Sequence, residues 1–250
     1  MTKKILLITG GSRGIGAATA RLAARQGYDL ALVYRSDEAA VAAVARDCIS
    51  SGARVETIRA DLASEDDILA AFHIIDEKFG PLTHLVNNAG ITGPSSRFAD
   101  VTAETIRETI DTNVTGAILV AREAVRRMSR RLGGKGGVII NISSAAATLG
   151  SPGEYVWYAA SKGAIDSLTI GMSKELAEDG IRVAAVAPGL TDTEIHVKSS
   201  RDGARVERLT PSIPMGRIGR PEEIADAICY MLSDQATYIA GATLRVAGGR

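Results

Sequence analysis

Short apolar, β-branched runs alternate with longer stretches at helical period along the whole chain, and few folds accept that alternation. Runs at 4–9, 28–34, 54–59, 83–87, 137–142, 182–187 and 242–247 read as strands. The intervening stretches are long enough to hold a crossover helix, so the strands are expected to lie parallel with helices on both faces. The expectation is an α/β, doubly wound, seven-stranded parallel sheet. A length of 250 residues suits one such unit, and no hydrophilic linker, repeat or low-complexity tract divides it, so residues 1–250 are taken as a single domain. Only about 190–220, rich in Thr, Ser, Arg and Pro, lacks clear periodicity, and it is expected to act as a lid or binding segment. Within the long helical stretch 103–132, Thr112-Asn113-Val114-Thr115-Gly116 has poor helix propensity and predicts a kink. Ser64 followed by Asp67 resembles an N-terminal capping box.

Charge and composition exclude several partners. The 29 basic and 29 acidic side chains give a formal charge of zero, so no long-range field gathers nucleic acid or an anionic membrane. Arg122, Arg126, Arg127, Arg130 and Arg131 form a helical stripe, read on that balance as a solvated or interface face rather than a phosphate site. Cys48 and Cys229 are far apart, and His73, His84 and His196 are scattered, so neither a disulfide framework nor a bound metal is expected. The apolar part of Met1-Thr-Lys-Lys-Ile-Leu-Leu-Ile-Thr-Gly-Gly is too short for a signal peptide and reads as a strand. No run approaches the ~18–20 apolar residues that span a bilayer, so a cytoplasmic setting is expected.

The first strand ends in Thr9-Gly10-Gly11-Ser12-Arg13-Gly14-Ile15-Gly16 and runs into a helical pattern. Glycines let the backbone turn sharply and approach a pyrophosphate, whose charge meets the unpaired N–H groups of a helix N-terminus. The context points to a dinucleotide, although three glycines in a turn also suit a plain strand-to-helix connection. At the end of the second strand, where an NAD binder places an acid on the ribose 2′-hydroxyl, this chain has Val33-Tyr34-Arg35-Ser36. A guanidinium there matches the 2′-phosphate of NADP, with Arg13 reaching it from the other side. NADP(H) is therefore expected, and Asp37 with Glu38 leaves an NAD-dependent alcohol or sugar dehydrogenase as the alternative.

Among the six tyrosines, Tyr158 alone has a lysine four residues later, in Tyr158-Ala-Ala-Ser-Lys162, which puts phenol and ammonium on one helix face. A free phenol, with pKa ~10, exchanges protons poorly at neutral pH. A cation ~4 Å away at an effective dielectric of ~20 contributes ~4 kcal/mol, which brings the exchange within reach before desolvation opposes it. The fifth strand ends in Asn141-Ile142-Ser143-Ser144, where a hydroxyl can hold a carbonyl oxygen beyond a strand's carboxyl end.

With these residues in place, the chain resembles the short-chain dehydrogenase/reductase family, in its branch of about 250 residues, over nearly its whole length. Beyond the glycine loop and the Tyr-Lys pair, the resemblance includes Asp61-Leu62, Asn87-Asn88-Ala89-Gly90, Asn113, Ser144 and Pro188-Gly189. It extends to members labelled glucose dehydrogenase-like or 3-oxoacyl-carrier-protein reductase-like. The resemblance implies a Rossmann-type fold, usually a homotetramer, and a small-molecule carbonyl or alcohol substrate. By the same resemblance Gly10, Ser12, Gly14, Ile15 and Gly16 shape the phosphate turn, and Arg35 and Ser36 flank the adenosine phosphate. Asp61 with Leu62 meets the adenine, and Asn88, Ala89 and Gly90 line the ribose. Pro188, Gly189, Thr191 and Thr193 face the nicotinamide and its phosphates. Tyr158 is acid or base, Lys162 also holds the nicotinamide ribose, Ser144 orients the carbonyl, with Ser143 as the fallback, and Asn113 anchors a water relaying protons to Lys162. For Asn113 a kink residue bonding backbone, and for Asp61 a cap, remain alternatives. A binding protein that senses NADP without catalysis is the rival from another functional class.

Overall fold

The computed structural model describes residues 3–193 and 205–250. Its strands are β1 (Ile5–Thr9), β2 (Asp29–Tyr34), β3 (Val55–Arg59), β4 (His84–Asn87), β5 (Gly137–Ile142), β6 (Ile181–Pro188) and β7 (Thr243–Val246). They form one sheet of seven strands in the order β3-β2-β1-β4-β5-β6-β7, with every pairing parallel. Each strand expected from the apolar runs is present within a residue or two of its reading. The order reverses between β1 and β4, so the chain leaves β1 towards one edge and returns to β4 on its other side. A crevice opens at such a switch point, beyond the carboxyl ends of the strands.

Both faces of the sheet are covered, which is why the strands read as continuous apolar runs rather than as alternation. Leu6 and Ile8 of β1 point to one face, where they pack with Ala17, Ala20 and Ala24 of α1 (Gly14–Arg25), Val41 and Val44 of α2 (Glu38–Ser50), and Ile224 and Ile228 near the end of the chain. Ile5 and Leu7 point to the other, against Ile68, Phe72 and Ile75 of α3 (Glu65–Phe79). Ser64 caps α3 by accepting from Asp67 N at 3.2 Å, but the reciprocal half of a capping box is absent: Asp67 Oδ2 accepts instead from Asp61 N at 2.9 Å.

The stretch 103–132 breaks where its propensity predicted. Helix α4 (Ala103–Ile110) passes through a π-helical segment, Asp111–Gly116, into α5 (Ala117–Met128). A Cβ at Gly116 would run into the Leu62 carbonyl oxygen, so the glycine lets this turn lie directly on the chain after β3. The arginine stripe is spent on acids. Arg122, Arg126 and Arg127 all reach the buried Glu123, Arg122 also pairs with Glu65 and Arg127 with Asp76. After β5 come α6 (Ala146–Leu149) and α7 (Val156–Glu175), then α8 (Arg205–Leu209) and α9 (Pro221–Leu232). Of the 190–220 stretch, residues 194–204 lie outside the described residues. No helix of the described residues is long and apolar enough to cross a membrane, and the same residues contain no cluster fit for a metal ion.

His84 links the core to solution pH. Its ring is buried, hydrogen-bonds the Thr83 hydroxyl through Nδ1 at 2.7 Å and meets Tyr28 edge to face. Burial first, then the positive charge of Lys4, lowers its pKa from 6.5 to about 4. Between those values the unfolded chain binds more protons than the folded one, so stability is full above 6.5 and falls as pH drops towards 4. We expect about 2 kcal/mol less stability at pH 5 than at pH 7.5 from this group. Urea denaturation at the two pH values should show that difference in the wild type and a smaller one in His84→Gln; an unchanged difference would assign the slope to other groups.

Candidate active site

A cleft of about 800 Å³ opens along the carboxyl rim of the sheet. At one end lie Gly10, Ser12, Arg13, Gly14, Ile15, Gly16, Arg35, Ser36, Asp61 and Leu62. Asn88, Ala89 and Gly90 form its middle, and Ser144, Tyr158, Lys162, Pro188, Gly189, Thr191 and Thr193 continue it. Every candidate drawn from the sequence therefore borders this one cleft, with the exception of Asn113.

The glycine turn is set by close approach of backbones. Gly10 and Gly14 take φ of +67° and +52°, values that other residues rarely adopt. A Cβ at Gly16 would strike the Gly10 carbonyl oxygen, so only glycine lets α1 begin against the turn. The first turn of α1, Gly14-Ile15-Gly16-Ala17, carries no acid, and the positive end of its dipole is left for an anion. Thr9 joins β1 to β4: its hydroxyl accepts from Asn88 N at 2.9 Å and Ala89 N at 3.0 Å, while Asn88 Nδ2 donates to Thr9 O at 2.8 Å. Sequence reasoning gave Thr9 no role of its own, because its partners lie 79 and 80 positions away.

Beyond β2 the exposed Arg35 follows Tyr34 directly. Arg59, at the end of β3, donates from Nε to the Arg35 carbonyl at 3.2 Å and adds a third guanidinium to the neighbourhood of Arg13 and Arg35. Asp37 is engaged elsewhere. Its Oδ1 accepts from Ala40 N as the cap of α2, and its Oδ2 lies 3.6 Å from Arg13. Asp61 borders the cleft, and its Oδ1 accepts from Ala63 N at 3.0 Å within the turn that precedes the Ser64 cap.

The two serines after β5 separate clearly. Ser143 is buried and its hydroxyl donates to the Lys162 carbonyl at 3.3 Å. Ser144 accepts from Ala146 N at 3.1 Å and borders the cleft with Tyr158, whose phenol it acts on. Lys162 is buried, donates from Nζ to the Ile142 carbonyl at 2.8 Å and lies 5.8 Å from the centre of the Tyr158 ring. A Cβ on Gly90 would be 3.2 Å from Asn113 Oδ1 and 3.4 Å from that Nζ, so the tight approach the glycine relieves is to Asn113. Asn113, in the π segment, sits behind Gly90. Its Oδ1 accepts from Ile91 N and its Nδ2 donates to Ile91 O, both at 2.8 Å, and Nδ2 also reaches the Ser161 hydroxyl at 3.1 Å. Its side chain thus bonds backbone, as the structural alternative held.

The electrostatics differ from the expectation that Lys162 brings the phenol down. Burial dominates and pushes Tyr158 up from 10, opposed by the Ser144 hydrogen bond and by the charge of Arg205. Burial also lowers Lys162 to about 8, with Asp166 pulling the other way. Desolvation disfavours both charged forms, and removing two groups together from water offsets much of their mutual attraction. Arg205 was not singled out in the sequence, since no local motif marks it. Trp157 is buried, with Nε1 bonded to the Thr92 carbonyl at 2.7 Å, whereas Glu154 borders the cleft.

The glycine cradle, the acid-free start of α1 and the cleft that continues to Tyr158 fit a dinucleotide along this rim. Residues 10–250 match the protein family described as enoyl-(acyl carrier protein) reductase. The uncharacterized oxidoreductase YgfF of Escherichia coli is 48% identical, covering 98% of this chain and 99% of its own. The 3-ketoacyl-(acyl-carrier-protein) reductase of Brucella melitensis, solved with NADH, superposes with a TM-score of 0.90 at 33% identity, over 99% of this chain and 98% of that one. A short-chain dehydrogenase of Burkholderia cenocepacia, solved with NADP, gives 0.91 at 32% identity with the same coverage, 99% and 98%. On this similarity of sequence and fold, the chain belongs to the short-chain dehydrogenase/reductase family, whose members act as oxidoreductases on carbonyl and alcohol groups with NAD(P).

Proposed function

We propose that the protein is an NADP(H)-dependent oxidoreductase that interconverts a carbonyl and a secondary alcohol, with Tyr158 giving or taking the proton at the substrate oxygen. The observation that carries this reading is the convergence of Ser144, Tyr158 and Lys162 on one cleft, with the Lys162 amine 5.8 Å from the centre of the Tyr158 ring on the same helix face. A nicotinamide dinucleotide supplies or accepts the hydride when bound. Gly10, Ser12, Gly14, Ile15 and Gly16 hold its pyrophosphate, Asp61 and Leu62 its adenine, and Asn88, Ala89 and Gly90 its adenosine ribose. Pro188, Gly189, Thr191 and Thr193 receive the nicotinamide side, with Lys162 on the ribose there.

In reduction, Ser144 donates a hydrogen bond to the carbonyl oxygen and Tyr158 passes its proton to the same atom. Burial keeps the phenol protonated at neutral pH, which suits a donor. Lys162, lowered to about 8, is still mostly cationic at pH 7 and stabilises the phenolate left behind. The Asn113 side chain braces Ile91 and Ser161, so its part in the proton relay is assigned to the unwound turn it stabilises rather than to its amide. The alcohol or carbonyl enters from the end bordered by Ile91, Pro94, Leu149, Glu154, Leu190 and Leu209.

NADP is favoured over NAD because Arg13 and Arg35 border the cleft beyond β2, where a 2′-phosphate would be met, while Asp37 is engaged by Ala40 N and Arg13. The reading extends to a homotetramer in the cytoplasm. Exposed Ile118, Ile170 and Leu244 on α5, α7 and β7 supply apolar surface for assembly, and both cysteines are free thiols buried in the fold.

A panel of aldehydes, ketones, acyl thioesters, sugars and steroids, followed at the nicotinamide absorbance with NADPH and NADH, tests substrate class and cofactor together. Turnover is expected with NADPH. Tight binding of NADPH without turnover on any compound would favour a sensor instead. Tyr158→Phe should bind NADPH as the wild type does and lose about 10²-fold or more in kcat; retained kcat would remove Tyr158 from the proton transfer. Arg35→Asp should weaken NADPH binding about tenfold or more and move preference towards NADH, measured as the ratio of the two dissociation constants.

A further inference from the structure

The substrate end of the cleft contains an ion cluster that the scheme above leaves without a part. Glu154 lies in the loop between α6 and α7. It accepts from Arg205 Nε at 3.2 Å on each oxygen, from Arg205 Nη2 at 2.9 Å and from Arg208 Nη2 at 2.9 Å. The Arg205 and Glu154 side chains are only 11% and 15% exposed, so the pair is fixed rather than a loose surface contact. Arg205 also lies over the Tyr155 ring, Cζ 5.3 Å from its centre. Tyr155 is the residue from which α7 starts, one turn ahead of Tyr158. The loop presenting Glu154 is held in turn. Ser151 adopts φ +47°, its carbonyl accepts from Glu154 N at 3.3 Å and Tyr155 N at 3.1 Å, and Ser96 N donates to Glu154 O at 3.1 Å. A non-glycine residue in the left-handed region is strained, and such strain concentrates where geometry matters for function.

We propose that Arg205 is a positioning residue for the reaction: clamped by Glu154 and laid on Tyr155, it keeps a fixed positive charge beside the first turn of α7 and stabilises the negative charge on the Tyr158 oxygen. The inference rests on the reading of Tyr158 as proton donor and acceptor. The charged and polar groups that border the cleft with Tyr158 come from each neighbouring element: Lys162 from its own helix, Ser144 from the loop after β5, Arg205 and Arg208 from α8, and Glu154 from the loop before α7. Glu154 opposes the effect, but its carboxylate is shared between two guanidiniums. The charge of Arg205 accordingly acts downward on the phenol against the upward push of burial.

The test compares wild type, Arg205→Met and Arg205→Lys by two readouts. One is the pH midpoint of kcat/KM for alcohol oxidation, where Tyr158 must be ionised. The other is the tyrosinate absorbance midpoint of the protein alone, with the Tyr158→Phe signal subtracted. Arg205→Met should raise both midpoints by about half to one pH unit, and Arg205→Lys, which keeps the charge, should restore most of the shift. Midpoints in Arg205→Met equal to wild type, or displaced alike in both variants, would overturn the proposal. Absence of wild-type turnover would strike the underlying reading instead, and the absorbance midpoint would still decide whether Arg205 acts on Tyr158.

Discussion

The Thr9 hydroxyl, buried at the end of β1 and accepting two backbone N–H groups from the end of β4, holds the point on which the site depends. At a switch point the chain sends its connections to opposite sides of the sheet, so nothing in the crossovers themselves ties the two strand ends together. Asn88 does so by donating from its backbone N to the Thr9 hydroxyl and from its side-chain Nδ2 to the Thr9 and Gly10 carbonyls. The Gly10 turn and the Asn88-Ala89-Gly90 segment become one surface, and the glycines of the turn let α1 start directly on it. Buried backbone N–H groups without partners cost about 1–3 kcal/mol each, so the hydroxyl at this position serves fold and cleft at once.

The same burial that closes the rim sets its chemistry. Tyr158 and Lys162 are both moved by desolvation towards their neutral forms, the phenol up and the ammonium down. A sequence argument that puts two charges on a helix face can size their attraction but only name the opposing loss of water, because burial is not readable locally, and that second effect is the larger one for this pair. The phenol is then rebalanced from outside its own helix, by the Ser144 hydroxyl and the Arg205 charge. The charge balance of the phenol is thus set by three separate segments that only the tertiary fold brings together.

What was legible from the sequence follows the range of the interactions involved. The seven strands were legible because strands covered on both faces must be apolar throughout. The break at 111–116 was legible because poor helix formers cluster there, although its π-helical form was not. The glycine turn and the Tyr-Lys spacing are local patterns and led directly to the cleft. The place at the strand end points to Ser144, with Ser143 as the fallback, and the structure adds that Ser143 is engaged by the Lys162 carbonyl while Ser144 acts on the Tyr158 phenol. Thr9 and Arg205 were missed for a common reason: each acts on partners dozens of residues away, and neither lies in a pattern of its own.

The two ends of the cleft are therefore built on different physical terms. The dinucleotide end uses backbone: glycines without Cβ atoms, helix N–H groups and strand ends, all specified by short stretches of chain. The substrate end uses side chains from separate loops, joined by the Glu154 pairings with Arg205 and Arg208 across 51 and 54 residues. Backbone at a strand end has little freedom to vary without losing the sheet, whereas side chains on loops can be exchanged while the scaffold stays in place. Fixing Glu154 by a strained turn and by Ser96 N gives this otherwise adaptable end a rigid charged element beside Tyr158. That rigidity lets a loop position act on the phenol, because a fixed charge does not have to reorganise as the phenol ionises.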